Sequence, residues 1–170
     1  EIEHMSDTTE AGTPTPADEP RSGPSIRVQS QYIKDLSFEN PGVPVQGQPN
    51  VDLGIDVGAT PKNVEQGIYE ITLKLQARAG TKEAALFLVE LDYAGIFQVS
   101  GFAPSDLEPL LLIECPRILF PFARRIIADL TAEGGFPALR IDPVDFHALF
   151  RSQKQRQAEA ATSAAPAEKD

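Results

Sequence analysis

The sequence predicts an α+β fold in which four β-strands are followed by helices. Three observations carry that expectation. Apolar and polar side chains alternate with period two between Ile26 and Tyr93, the apolar spacing becomes helical after Gly101, and Pro and Gly cluster where one regime gives way to the next. The chain of 170 residues is long enough for one domain with a sizeable core.

The first strand is expected from Ile26, Val28, Ser30 and Tyr32, which alternate with Arg27, Gln29 and Gln31. Pro41, Gly42, Pro44 and Gly47 then make 39–48 a loop. A second strand follows from Val51, Leu53, Ile55 and Val57 against Asp52, Gly54 and Asp56. The third, 68–79, has the cleanest alternation, with Tyr69, Ile71, Leu73, Leu75 and Ala77 on one face and Glu70, Thr72, Lys74, Gln76 and Arg78 on the other. The fourth, 85–93, places Phe87, Val89, Leu91 and Tyr93 on one face, while its other face runs Leu86, Leu88, Glu90, Asp92. The short link 79–83 suits a hairpin, which makes strands three and four antiparallel neighbours. Ser105-Asp106-Leu107-Glu108 reads as a capping box that opens a helix, with Pro109 in its first turn. Pro116 and Pro121 are expected to kink or split that helix, after which Ile118, Leu119, Phe122, Ile126 and Leu130 form one stripe up to a stop at Gly134-Gly135. Asp142-Pro143 predicts the N-terminus of a short last helix carrying Val144, Phe146, Leu149 and Phe150.

Residues 1–25 hold six acids, one base and four prolines with only Ile2 and Met5 as large apolar side chains, too few to offset ordering entropy. They are expected to be a disordered arm, with Glu1-Ile2-Glu3-His4 an expression remnant ahead of Met5. Residues 157–170 lack any large apolar side chain and are expected to be a loose tail. The domain between, 26–156, holds 16 acids and 13 bases, so the formal charge of −10 sits largely in the ends. That sign argues against nucleic acid as a partner. No apolar run approaches a membrane span, and no apolar leader precedes the domain, which points to the cytosol and against direct membrane insertion.

Catalytic machinery is not expected. No glycine-rich phosphate loop occurs, and one cysteine with two histidines cannot build a four-ligand zinc site, so no cofactor and no metal are predicted. Cys115 follows apolar Leu112-Ile113 and reads as a buried inert thiol, and His147 as a surface or packing histidine beside Phe146. Asp35 and Glu39 share a side of an extended segment, but about 13 Å of strand separates their Cα atoms, too far for a cooperating carboxylate pair. The chain is read as a non-enzyme.

Several strings carry more information than periodicity does. They are Tyr32-Ile33-Lys34-Asp35-Leu36-Ser37-Phe38-Glu39 before a proline loop, Gly95-Ile96-Phe97, Cys115-Pro116-Arg117-Ile118-Leu119-Phe120-Pro121-Phe122-Ala123-Arg124, and Gly135-Phe136-Pro137 through 143–150, Pro-Val-Asp-Phe-His-Ala-Leu-Phe. In this order, over about residues 26–152, the chain resembles the bacterial protein-export chaperones of the SecB family. Its long Pro-rich arm and Ala-rich tail depart from the family pattern.

The resemblance implies a four-stranded antiparallel sheet followed by a long kinked helix and a short C-terminal helix, assembled as a homotetramer, a dimer of dimers. It implies an ATP-independent cytosolic protein that holds precursors unfolded and passes them to the SecA motor ATPase. The family's client grooves map onto Phe38, Val43, Val45, Phe136, Phe146 and Phe150, of which Phe146 and Phe150 fit core positions equally well. The family's motor-binding acidic patch maps onto Asp35, Glu39 and Glu90 with Leu88 beside them. Phe122, Ile126 and Leu130 are candidates for packing between subunits as well as within one. On residues alone, the run 86–89 must cover both faces of its strand or leave one to a partner. A small-ligand carrier and a purely structural oligomer remain open alternatives.

Overall fold

The computed structural model describes residues 23–42, 49–81 and 84–163. The arm up to residue 22, the loop stretch with Val43 and Val45, and residues 164–170 lie outside the described residues. Strands β1 (Ser25–Glu39), β2 (Asn50–Asn63), β3 (Ile68–Gly80) and β4 (Ala85–Ser100) form one sheet in the order β1-β4-β3-β2, antiparallel throughout. Helices α1 (Pro104–Pro109), α2 (Cys115–Glu133) and α3 (Phe146–Ser163) follow, with a π-helical turn, Leu110–Glu114, joining the first two.

The alternation of β3 and β4 sets the layers. Ile71, Leu73, Leu75 and Ala77 are opposed by Gly95, Tyr93, Leu91 and Val89, and this face meets Leu111, Leu119, Ala123 and Ile127 in the core. β1 runs on past Tyr32 to Glu39, with irregularities at Val28/Ser30 and Ile33/Asp35 that leave Gln29 and Lys34 as the extra residues of two bulges.

Helix boundaries depart from expectation for local reasons. Pro104 occupies the first turn of α1, so Ala103 is the N-cap and its carbonyl accepts from Asp106 N–H at 3.0 Å. Ser105 caps nothing; its hydroxyl lies 3.3 Å from the Asp106 carboxylate. The expected break falls ahead of Pro116, where Cys115 N–H reaches back to Leu110 C=O, a five-residue step. Pro116 has no N–H with which to continue the α ladder. Pro121 stays inside α2.

α2 ends where the glycine pair predicts. Phe136 N–H donates to Thr131 C=O and Gly135 N–H to Ala132 C=O, with Gly135 at φ 87°, a left-handed position that suits glycine. The cap of α3 is Asp145 rather than Asp142: its carboxylate accepts from Ala148 N–H at 3.0 Å, and that bond leads the causes that lower its pKa. α3 continues through the first seven residues of the segment expected as a loose tail and so is not short. Ala158, Ala160 and Ala161 favour helix strongly, and Gln155 donates to Glu159 one turn on at 3.0 Å.

Candidate functional site

The sheet's outer face brings the predicted acidic set together. Register places Glu39 beside Leu88 and Arg78, Ser37 beside Glu90 and Gln76, and Asp35 beside Asp92 and Lys74. All these side chains lie on the face turned away from α2, because each alternates with an inward neighbour such as Phe38, Val89 or Ala77. Glu90 accepts from Gln76 at 3.0 Å, and Lys74 lies 2.6 Å from Asp92, whose hydrogen bond raises the lysine pKa. On β2, Asp52 pairs with Arg78 and Asp56 with Lys74, extending the same rows. Sequence reasoning missed Asp52, Asp56 and Asp92, although the parity of strands two and four contained the signal.

A different cluster occupies the other end of this face. Glu70 is buried, and its carboxylate accepts from Tyr32 at 2.5 Å and from Lys34 at 2.6 Å, with Lys62 3.6 Å away. The Lys34 and Tyr32 hydrogen bonds hold Glu70 down to about 2, and the Glu70 bond holds Tyr32 up at about 12. Neither group exchanges a proton near neutrality, so the cluster ties β1 to β3 and is not an acid–base pair. Nothing in the sequence singled it out, since it needs the bulge that aims Lys34.

Phe38, Phe87 and Phe136 form an aromatic cluster, with centroids 6.1 Å (Phe38–Phe87), 5.1 Å (Phe87–Phe136) and 6.4 Å (Phe38–Phe136) apart. Gly134 makes it possible: a Cβ there would stand 2.4 Å from the Phe38 ring. Asn40 donates to Gly134 C=O at 3.2 Å, which roots the segment after β1 beside the end of α2. Thr131 fastens the next segment, accepting from Leu139 N–H and donating to Ile127 C=O, both at 2.9 Å. Two of the six predicted groove residues, Phe38 and Phe136, are therefore in contact. Phe146 is a correction: it is only 1% exposed and packs edge-on against Phe120 at 5.9 Å, because the first turn of α3 presents it to the core. Phe150 is half-buried under the Lys154 ammonium, which lies 5.7 Å from its ring centroid.

Open apolar surface lies elsewhere too. Val51 and Leu53 are 47% and 42% exposed beside Leu139, Ile141 and Val144, around a cleft of about 370 Å³. A wider cleft of about 870 Å³ runs between β2, α1 and α3, lined by Ile55, Val57, Leu107, Leu111 and Leu112 and by Gln153 and Arg156. Lys154 pairs with Glu108 at 2.5 Å, and Gln153 donates to Asp56, so α3 is tied across that cleft. The β2 alternation was visible in the sequence but reads as half-buried.

On α2, Phe122 is 50% exposed and stacks on Tyr93 at 6.5 Å. Ile126 and Leu130 are half-buried beside it. Ile118 on the same helix, a member of the predicted stripe, and Ile33 and Leu36 on the edge strand β1 are also exposed, and sequence reasoning assigned none of these three to a subunit contact. Ile33 pairs with Tyr93, so strand edge and helix present one continuous apolar face. Cys115 lies at the other extreme: burial pushes its thiol up to about 12, which leaves almost no thiolate to act as a nucleophile. Among the described residues no His, Cys, Asp and Glu group could hold a metal, and no helix is long and apolar enough to cross a membrane.

Comparison with known proteins gives one answer. Residues 19–157 match the family described as "Preprotein translocase subunit SecB". The chain is 60% identical over 158 residues to the protein-export protein SecB of Hyphomonas neptunium, covering 92% of this chain and 95% of that protein. It is 46% identical to SecB of Caulobacter vibrioides, with coverage of 88% and 93%. In fold it is similar to the Mycobacterium tuberculosis Rv1957 SecB-like chaperone, solved in complex with a ChAD peptide from the Rv1956 HigA1 antitoxin. That likeness has a TM-score of 0.60 at 13% identity, over 71% of this chain and 90% of that one. Sequence, sheet order and helix arrangement agree, and the chain belongs to the SecB family of protein-export chaperones.

Proposed function

We propose that this chaperone acts in the cytoplasm as a homotetramer, holds precursor proteins unfolded along its apolar clefts without ATP, and delivers them to SecA through the acidic outer face of the sheet. The observation that supports this most directly is the separation of surfaces. Open apolar side chains at Val51 and Leu53, with Phe38 and Phe136 at the end of α2, belong to one side; Asp35, Glu39, Leu88 and Glu90 belong to the other. A client and a motor can then engage one subunit together.

Magnitudes favour an assembly. Burying one Leu or Phe contributes about 1.5–3 kcal/mol, against an association cost of roughly 4–15 kcal/mol plus ordering of the client. One shallow cleft binds weakly, while several on one particle raise avidity by about 10² to 10⁴ for a chain long enough to span them. Only an unfolded chain spans them, so no sequence code is needed. The subunit contact we assign is the face of Ile33, Leu36, Ile118 and Phe122, with Ile126 and Leu130 behind it.

The test is dilution of a denatured precursor with and without equimolar tetramer, followed by light scattering and refolding. Delayed refolding and suppressed scattering are expected; no effect would refute the proposal. The 870 Å³ cleft, within the size range of small-molecule sites, favours a ligand carrier as the second reading. That reading predicts saturable 1:1 uptake of a small apolar molecule and no effect on scattering.

A further inference from the structure

We infer that the Pro-rich arm preceding Gly23 docks into the 870 Å³ cleft between β2, α1 and α3, with its carboxylates against Arg156, so that a subunit without client carries its own occupant there. The occupant role rests on the client-holding function above; the docking does not. Packing fixes where the arm departs. Gly101 takes φ 77°, and a Cβ on it would stand 3.0 Å from Pro24 and 3.1 Å from Gly23, so the chain enters β1 pressed against the turn after β4. Gly101, Phe102 and Leu107 line a hollow of about 300 Å³. Leu107 also lines the wider cleft, so the hollow at the root of the arm continues into it. At about 3.3–3.6 Å per residue, residues 13–20 reach roughly 10–35 Å from Gly23, enough to lie along both.

The walls of the cleft define the occupant. Ile55, Val57, Leu107 and Leu111 make one side apolar. The other side is one face of α3, where Gln153, Arg156, Gln157 and Ala160 recur at helical spacing. Gln153 is committed to Asp56, and Lys154 neutralises Glu108. Arg156 makes no ion pair with any described residue. Such a cleft suits an extended chain with an apolar side, free acceptors, few N–H donors and negative charge. Thr13-Pro14-Thr15-Pro16-Ala17-Asp18-Glu19-Pro20 has all four: its prolines hold φ near the polyproline II value and carry no N–H, and Asp18 and Glu19 supply the charge. The wider field acts in the same sense. α3 holds Arg151, Lys154 and Arg156 against Glu159 alone, whereas the outer face of the sheet, with Asp35, Glu90 and Asp92, repels an acidic arm. Most of the arm and the end of α3 also lie outside the family match of residues 19–157, so two additions to the family pattern meet at one cleft.

The experiment places a nitroxide on the full chain at Thr15→Cys. Cys115, buried and with its thiol held up at about 12, does not take the label. With the arm tethered at an effective concentration of roughly 1 mM, the methyl NMR signals of Leu107, Leu111 and Leu112 should fall about twofold or more relative to the reduced label. Arg156→Glu should remove most of that loss. Adding Asp18→Lys and Glu19→Lys to Arg156→Glu should bring the loss back, which a damaged cleft would not allow. Full signals in the parent chain, or a loss that Arg156→Glu leaves unchanged, would overturn docking; so would a loss centred on Val51, Leu53 and Val144. Denatured precursor at equimolar ratio should then relieve the loss. If the chain suppresses precursor scattering while the loss persists, the occupant role is overturned and holding stands; if it neither suppresses scattering nor relieves the loss, holding falls with the occupant role and docking stands.

Discussion

Glu70→Gln isolates the polar tie between β1 and β3. The carboxylate titrates at about 2 instead of its ordinary 4.5 because Lys34 and Tyr32 donate to it, with Lys62 adding charge. At about 1.4 kcal/mol per pH unit, that difference corresponds to roughly 3 kcal/mol of folding stability. The carboxylate is 6% exposed, but the Lys34 and Lys62 side chains are 47% and 46% exposed, so water and salt screen part of the effect. A loss of about 2 kcal/mol at pH 7 is the expected value after that discount. The sign follows from a depressed folded value: the contribution is complete above pH 4.5 and disappears as pH falls toward 2. Urea unfolding at fixed protein concentration should show the variant less stable by about 2 kcal/mol at pH 7 and by only about a quarter of that, about 0.5 kcal/mol, near pH 2.5. An equal deficit at both pH values would refute the electrostatic account, as would a deficit below about 0.5 kcal/mol at pH 7, which would place Glu70 among ordinary surface carboxylates.

Three further outcomes follow. Asp35→Lys with Glu90→Lys should weaken SecA binding by tenfold or more at low salt, on the order expected for two reversed rim charges, while leaving tetramer mass and client affinity unchanged; an equal fall in client affinity by titration would show that the surfaces overlap. Phe146→Ala should lower unfolding free energy by about 3–5 kcal/mol, because a buried ring against Phe120 is removed, and a stable variant with reduced client affinity would return Phe146 to the groove. Phe122→Lys should move sedimentation from tetramer toward smaller species with little change in the secondary structure measured by circular dichroism; an unchanged tetramer would take that face out of the interface.

The sheet was legible because strand parity is a local property. The family resemblance nominated Asp35, Glu39, Leu88 and Glu90; parity put Leu88 with Glu90 and Asp35 with Glu39, and only the register sets the two pairs side by side. The Glu70 cluster was not legible, since its four residues come from three strands and one of them reaches it only through a bulge. Helical spacing proposed Phe146 without saying which side of the helix the core would take. Asp142 and Asp145 are equally good caps in isolation, and the bond from Ala148 N–H decides between them. Open surface is hardest to foresee: Val51 and Leu53 alternate as a buried strand does, and only the course of residues 139–144 leaves them uncovered.

The strand order has a kinetic consequence. β3 and β4 meet through a tight link, whereas β1 must find β4 from 49 residues away at one end of the ladder, Glu39 to Leu88, and from 75 at the other, Ser25 to Ser100. Closing such long loops is slow relative to forming the hairpin. β1, expected from these loop lengths to be seated last, also carries Ile33 and Leu36, so on the proposed subunit contact a newly made chain is expected to lack half of that face until its own sheet is complete. On that proposed contact, the strand order would discourage premature sticking between half-built copies.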